Sequence, residues 1–531
     1  MSSASESYTG RTPLIAARGV VAVDHVLAAG AGLAALRAGG TAMDAVLSAA
    51  AVMAVVQPHY SHLGGDAFIL SYEARTGRAV AINASGAAPR AATAERYRQA
   101  GGIPARGPLA MAGPGVVAGW AEAHSRAGRL PWPRLFDAAI DYAEQGFPVS
   151  VRLSRMIADH ADLLRRYPAS ADQFMPEGAP PAPGSTLRQP DLARTLRCIA
   201  ENGRDGFYTG EVARTIAAAM RDAGGLLDED DLRLTAAEVL EPIATTYRGY
   251  QVIEQPPVSQ GFIVLEALNI IEAFDVASLA PAERVHLLAE AVKLAFEDRF
   301  AYAGDPRVVD MPTAWLISKE RAAERRAELR LDRVRDFHPP AGFPVPGDTT
   351  YMAAMDAEGN AAGLIQSIFA AFGSAFVAPG TGVLFNNRLT GFSLVPGHPN
   401  ELAPGKRTVH TLNSYMVLRD GQPLIVGGTP GADRQVQTNL QMICALLDDR
   451  LDPATALDRP RWSVAPGRGI ELEARFDADT ASGLSERGWD VTFLEPWSPR
   501  TGRAQIIYRD PATGALWAAS DLRGEGQPAG W

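Results

Sequence analysis

Gly347-Asp348-Thr349-Thr350-Tyr351-Met352-Ala353-Ala354-Met355-Asp356 is where the chain changes character. It follows Phe337-His338-Pro339-Pro340-Ala341-Gly342-Phe343-Pro344-Val345-Pro346, too rich in Pro and Gly for a helix or a central strand. Thr349 to Asp356 and Ala361 to Phe369 read as strands, with Ala357-Glu358-Gly359 as the turn between them. A hairpin symmetric about Glu358 opposes residue 349 to residue 367, and so brings Ser367 within roughly 5.5 Å of Thr349. A bulge would shift that register by one residue. A threonine hydroxyl is a weak nucleophile without a base beside it. The nearest base is the threonine's own α-amine, which is free only if the chain is cut just before it. An α-amine ordinarily titrates at about 7.7–8.0, so it accepts a proton near neutral pH. Taken alone, the segment is either an ordinary strand start after a linker or a self-cleavage site between Asp348 and Thr349.

The rest of the composition narrows the field. The 531 residues can bury a large core, and 47% hydrophobic with 21% charged content is globular. The net charge of −10 gives no electrostatic support for nucleic-acid binding. The polar start, MSSASESYTGRTPL, lacks a basic segment followed by an apolar one, so no secretory signal is expected. The longest apolar run, Val46 to Val56, is too short to span a membrane and reads as a buried helix. Two cysteines, Cys198 and Cys444, form no disulfide framework, and the nine histidines show no metal-ligand spacing. These features predict a cytoplasmic protein with no membrane or nucleic-acid partner and no metal.

Residues 1–348 are Ala-rich and helical by pattern; Val285, Leu288, Val292 and Phe296 recur on one helical face. Residues 168–190 are Pro-rich and polar, which predicts a surface excursion.

Several ordered segments carry a resemblance. They are Gly39-Gly40-Thr41-Ala42-Met43-Asp44-Ala45, Gln57-Pro58 with Leu63-Gly64-Gly65-Asp66, Gly113-Pro114-Gly115, and Pro256-Pro257-Val258-Ser259-Gln260-Gly261. Further on come Glu290-Ala291-Val292-Lys293, Thr349-Thr350, Gly359-Asn360, Phe372-Gly373, Asn386-Asn387, Phe392-Ser393, Pro430-Gly431 and Asp521-Leu522-Arg523. In this order they resemble the γ-glutamyltransferase family of N-terminal-nucleophile hydrolases over nearly the whole chain. The resemblance implies an α/β, four-layer αββα fold. It also implies autocleavage into a large subunit, 1–348, and a small subunit, 349–531, forming an α/β heterodimer, alone or doubled. It implies Thr349 as nucleophile, and Ser367 in place of a neighbouring threonine. Gly431 and Ala432 would be the backbone donors of an oxyanion hole whose family form is Pro-Gly-Gly, and no cofactor is required.

The departures lie where the family holds a glutamyl head. Ser85 stands where the resemblance places an arginine, and Gly391 where it places an aspartate. Arg388 replaces an acid or amide, His410 and Thr411 replace two serines, and Phe369 replaces an asparagine. The stretch from Ser393 to Lys406 is too short for a lid. The segments 367–369 and 428–437 look more like the lidless branch that includes oxamate amidohydrolase. The expectation is a self-processing threonine amidohydrolase for a small anionic amide, foremost oxamate to oxalate and ammonia. Arg388, His410 and Thr411 would bind the substrate, although Arg388 is equally open to a structural ion-pair role. The histidines of His59-Tyr60-Ser61-His62 would support the site or pack beneath it. The alternatives are a γ-glutamyltransferase or glutathione hydrolase, an acylase for a larger dicarboxylic-acyl amide, and an uncleaved binding protein on the same fold.

Overall fold

Every residue of the strand Thr350–Asp356 is buried, which a strand achieves only when both of its faces are covered. Alternate side chains enter different cores. Met352 and Ala354 join Met43, Val46 and Ala50 of the helix Ala42–Val56. Tyr351, Ala353 and Met355 face the other way, toward Ile253, Met416, Val426 and Ile507 of a second sheet. The far face of that second sheet, through Val252, Tyr415, Val417, Ile425 and Ile506, packs on the helices Gly261–Ile271, Pro281–Tyr302 and Arg434–Leu447. The layers are therefore helix, sheet, sheet, helix, as expected. This computed structural model describes residues 11–345 and 347–531. Residues 1–10, the larger part of the segment on which the targeting reading rests, and Pro346 lie outside that range.

Both sheets have seven strands. One runs Ala529–Gly530, Gly19–Val23, Thr350–Asp356, Ala361–Ser367, Asp66–Glu73, Arg78–Ala84 and Glu238–Leu240. The other runs Leu14–Ala16, Leu516–Ser520, Gln505–Arg509, Gln422–Gly428, Ser414–Arg419, Tyr250–Glu254 and Ile243–Tyr247. Each sheet takes strands from both sides of residue 348, so neither half owns a core.

The hairpin keeps the register read from the sequence. Thr350 pairs with Gln366 and Met355 with Ala361, without a bulge, and Gly359 takes the positive φ of 89° that the turn requires. The helix Ala42–Val56 starts at a capping box between Thr41 and Asp44, and all its residues are buried. Its many alanines let it lie close against the sheet. Among the described residues no helix is long and apolar enough to cross a membrane.

The stretch 168–190 needs correction. Pro168 opens a helix to Phe174 that buries Ser170 and Phe174, and Ser170 Oγ donates to the Ala375 carbonyl at 2.7 Å. Only the residues after Met175 form the exposed excursion.

Candidate active site

The site lies at one end of the sandwich, where four neighbouring strand ends meet the opposite sheet. Thr349 precedes the strand Thr350–Asp356, and Ser367 ends the next one. Ser367 is paired with Asp66, the first residue of the third. On the other flank Val23 pairs with Met352, so Asp24 emerges at the same end. From the facing sheet come Arg503, just before the strand Gln505–Arg509, and the turn Thr429-Pro430-Gly431-Ala432 that follows the strand Gln422–Gly428.

Thr349 is 2% exposed and Ser367 1%. Ser367 Oγ donates to the carbonyl oxygen of Asp348 at 2.7 Å and accepts the Phe369 N–H at 2.8 Å. The serine thus addresses the carbonyl of the Asp348–Thr349 peptide bond. Gln435 Nε2 reaches Thr349 Oγ1 at 3.5 Å. Gly431 and Ala432 both have positive φ, 134° and 52°. Alanine therefore does occupy the left-handed region here, at a steric cost glycine would avoid. Among the described residues neither of their N–H groups donates to a protein acceptor, and the buried helix Arg434–Leu447 begins two residues later, its positive end toward the turn. Gly347 lies across this turn; a Cβ on it would sit 3.2 Å from Ala432 Cβ. Gln260 Nε2 ties the turn to the 410–411 segment by donating to the carbonyls of Ala432 (3.2 Å) and Thr411 (2.8 Å).

Arg388 and His410 converge on one aspartate. Arg388 Nε donates to Asp66 Oδ2 at 2.9 Å, and His410 Nε2 lies 3.4 Å from the same oxygen. Asp66 Oδ1 accepts the Gly86 N–H at 2.8 Å. The Arg388 guanidinium stacks on Phe369 at 4.3 Å, and its buried Nη2 has no hydrogen-bond partner among the described residues. Burial lowers the Arg388 pKa despite Asp66. Burial, with the Arg388 charge, brings His410 down to about 4, so its ring is neutral at pH 7. Thr411 is buried, its carbonyl taken by Gln260 and Asn413. Ser85, where the resemblance places an arginine, is buried and turned onto Asn83. Gly391 packs against Thr408.

Sequence reasoning missed a second arginine. Arg503 is 2% exposed. Its Nε donates to Asp24 Oδ2 at 2.6 Å, its Nη2 to Asp348 Oδ1 at 2.6 Å, and its Nη1 to Asp348 Oδ2 at 3.1 Å. Nη2 also reaches the Thr349 carbonyl at 3.2 Å. The guanidinium stacks on Tyr60 at 4.4 Å. Burial disfavours this charge, but Asp348 and Asp24 outweigh it and hold the group protonated. His59 and His62 are buried, with His62 Nδ1 accepting the Leu384 N–H. They underlie the site, and Tyr60 between them borders it. Asp66 had one signal in the sequence, an acid in a glycine run; Arg503 had none. Among the described residues no cluster of His, Cys, Asp or Glu is arranged to hold a metal.

Two sheets between helix layers, with a threonine at a strand end facing a glycine turn, define an N-terminal-nucleophile hydrolase architecture. The family profile of gamma-glutamyltranspeptidase matches residues 28–531, and the chain belongs to that family of enzymes. It is 37% identical over 527 residues to the Glutathione hydrolase-like YwrD proenzyme of Bacillus subtilis, covering 97% of this chain and 99% of that one. It is also 37% identical over 529 residues to the Oxamate amidohydrolase proenzyme of Klebsiella pneumoniae, covering 97% and 99%. The crystal structure of cephalosporin acylase from Bacillus halodurans superposes with a TM-score of 0.94 at 36% identity, covering 100% of this chain and 98% of that one.

Proposed function

We propose that this chain is a proenzyme that cuts itself between Asp348 and Thr349, yielding subunits 1–348 and 349–531. Thr349 then hydrolyses the amide of a carboxylate-bearing acyl group, oxamate being the smallest such substrate. The observation that carries the reading is the Ser367 hydroxyl donating at 2.7 Å to the carbonyl that Thr349 would attack. Arg503, bonded to the side chain of Asp348 and to the carbonyl of Thr349, holds both residues of that bond in place.

In self-cleavage Thr349 Oγ adds to the Asp348 carbonyl carbon. The C–N bond breaks and the Oγ proton passes to the departing nitrogen, which frees the Thr349 amine; water then hydrolyses the ester, restoring the Thr349 hydroxyl and leaving Asp348 as the C-terminal carboxylate of the first subunit. In turnover that amine takes the Oγ proton and passes it to the leaving ammonia, while the Gly431 and Ala432 N–H groups hold the oxyanion. Water then releases the acid. A zwitterionic γ-glutamyl head finds no arginine at Ser85 and no acid at Gly391. Arg388, ion-paired with Asp66, still offers Nη2, with His410 and Thr411 beside it, to a small anion.

The test is ammonia release from oxamate by purified enzyme, beside a γ-glutamyl anilide. Oxamate turnover with an inert anilide supports the reading; anilide turnover alone would replace it with a glutathione-type hydrolase.

A further inference from the structure

The ester formed in self-cleavage and the acyl-threonine formed in turnover are the same linkage with different acyl groups. Both acyl carbons must bond the same Thr349 Oγ. The Asp348 side chain therefore occupies the space into which a substrate acyl chain extends. Asp348 carries a carboxylate two carbons beyond its carbonyl, and that carboxylate is bound bidentately by the buried Arg503 through Nη1 and Nη2.

The clamp remains when Asp348 leaves. Asp24 keeps Nε at 2.6 Å, Tyr60 keeps the ring stack at 4.4 Å, and Thr429 Oγ1 accepts the Arg503 N–H at 3.0 Å. None of these contacts involves residues 341–348. The leaving segment is held at several points: Phe343 packs on Phe296, Phe300 and Phe337, Val345 N–H donates to Asp433, and Asp348 N–H to the Phe369 carbonyl. Because Gly347 lies across the Gly431–Ala432 turn, the segment must withdraw before any substrate can use that turn. Withdrawal leaves Arg503 with its Nη edge open, facing the place where a carboxylate has just been.

We propose that Arg503 anchors the distal carboxylate of the substrate, and that the preferred substrate is the monoamide of a four-carbon dicarboxylic acid. This rests on the amidohydrolase reading and sharpens its substrate class: the acyl chain follows Asp348 atom for atom from carbonyl carbon to carboxylate. Oxamate, whose carboxylate is attached directly to the carbonyl, cannot reach Arg503 from the same position. In the reaction the Thr349 Oγ–acyl bond forms as the amide C–N bond breaks, ammonia leaves with the Oγ proton, and water returns Thr349 and the diacid.

The experiment measures kcat/KM of the processed enzyme on oxamate, malonamate, succinamate and glutaramate, and on 4-oxopentanamide, a neutral isostere of succinamate. The same series is run on Arg503→Met. Wild type should favour succinamate over each of the other acids, and over the neutral isostere by on the order of 100-fold, expressed mainly in KM. In Arg503→Met the charged-over-neutral preference should collapse to a few-fold. If Arg503→Met does not fold or process, the wild-type chain-length and charge series decides by itself. Hydrolysis with an optimum at another length, or a charge preference that survives Arg503→Met, overturns the anchor and leaves the amidohydrolase standing. A chain cut at Asp348–Thr349 that hydrolyses none of the series, or a chain never cut, overturns both.

Discussion

Two arginines flank Thr349, and they are built alike up to their last atoms. Each is almost wholly buried, each gives Nε to a buried aspartate, and each stacks on an aromatic ring. The difference is at the Nη edge. That of Arg503 grips the side chain of the residue before Thr349, whereas Nη2 of Arg388 has no hydrogen-bond partner among the described residues. The electrostatics follow: Asp348 and Asp24 outweigh burial and raise the Arg503 pKa, while at Arg388 burial outweighs the lone Asp66 and lowers it. A buried arginine is thus not a ligand site by being present. What matters is which of its five N–H groups remain aimed at the reacting atoms.

The largest effect that would sharpen this contrast is on processing. Arg503→Met should slow self-cleavage on the order of 100-fold, because the attacked carbonyl loses its alignment; Arg388→Met should slow it far less. Gel time courses on the two freshly made chains measure this, and equal slowing would erase the distinction. Stability should show the converse weight at Arg388. Asp66→Ala strands a buried guanidinium and should cost about 3 kcal/mol in urea unfolding, with less lost when Arg388→Met is added. Simple additivity of the two would mean that the pair is not coupled.

A pH effect comes next. His410 stays neutral in the fold, with its pKa depressed from 6.5 to about 4. A base whose folded pKa is lowered adds stability above pH 6.5, and that stability is lost as the pH falls from 6.5 toward 4. His410→Asn should flatten part of that slope, by at most about 3 kcal/mol; an unchanged slope would place the acid sensitivity in other buried histidines such as His62. The smallest effect is at the turn. Ala432→Gly should relieve a φ of 52° and stabilise the chain by up to about 1 kcal/mol, and a loss of stability would show that the methyl packs usefully.

The hairpin was legible because the turn at Ala357-Glu358-Gly359 marks its centre and no bulge intervenes, so Ser367 could be set opposite Thr349 by counting. The helix from Ala42 and the helix through Val285 to Phe296 declared themselves by composition and spacing. Arg388 and His410 could be gathered as neighbours only through the family resemblance, and their shared partner Asp66 left just a broken glycine run. Arg503 and Asp24 were out of reach. They stand 479 residues apart, carry no motif, and meet because two sheets stack. The helix within 168–190 was obscured by its prolines, one of which starts the helix.

The most direct measurement of the central claim is the intact mass of purified wild type beside Thr349→Ala and Ser367→Ala. The expected result is two wild-type fragments, the second beginning at Thr349, a single 56.4 kDa chain for Thr349→Ala, and cleavage slowed on the order of 100-fold in Ser367→Ala. A wild-type chain that stays whole, or a Thr349→Ala chain that is still cut at Asp348, would contradict it.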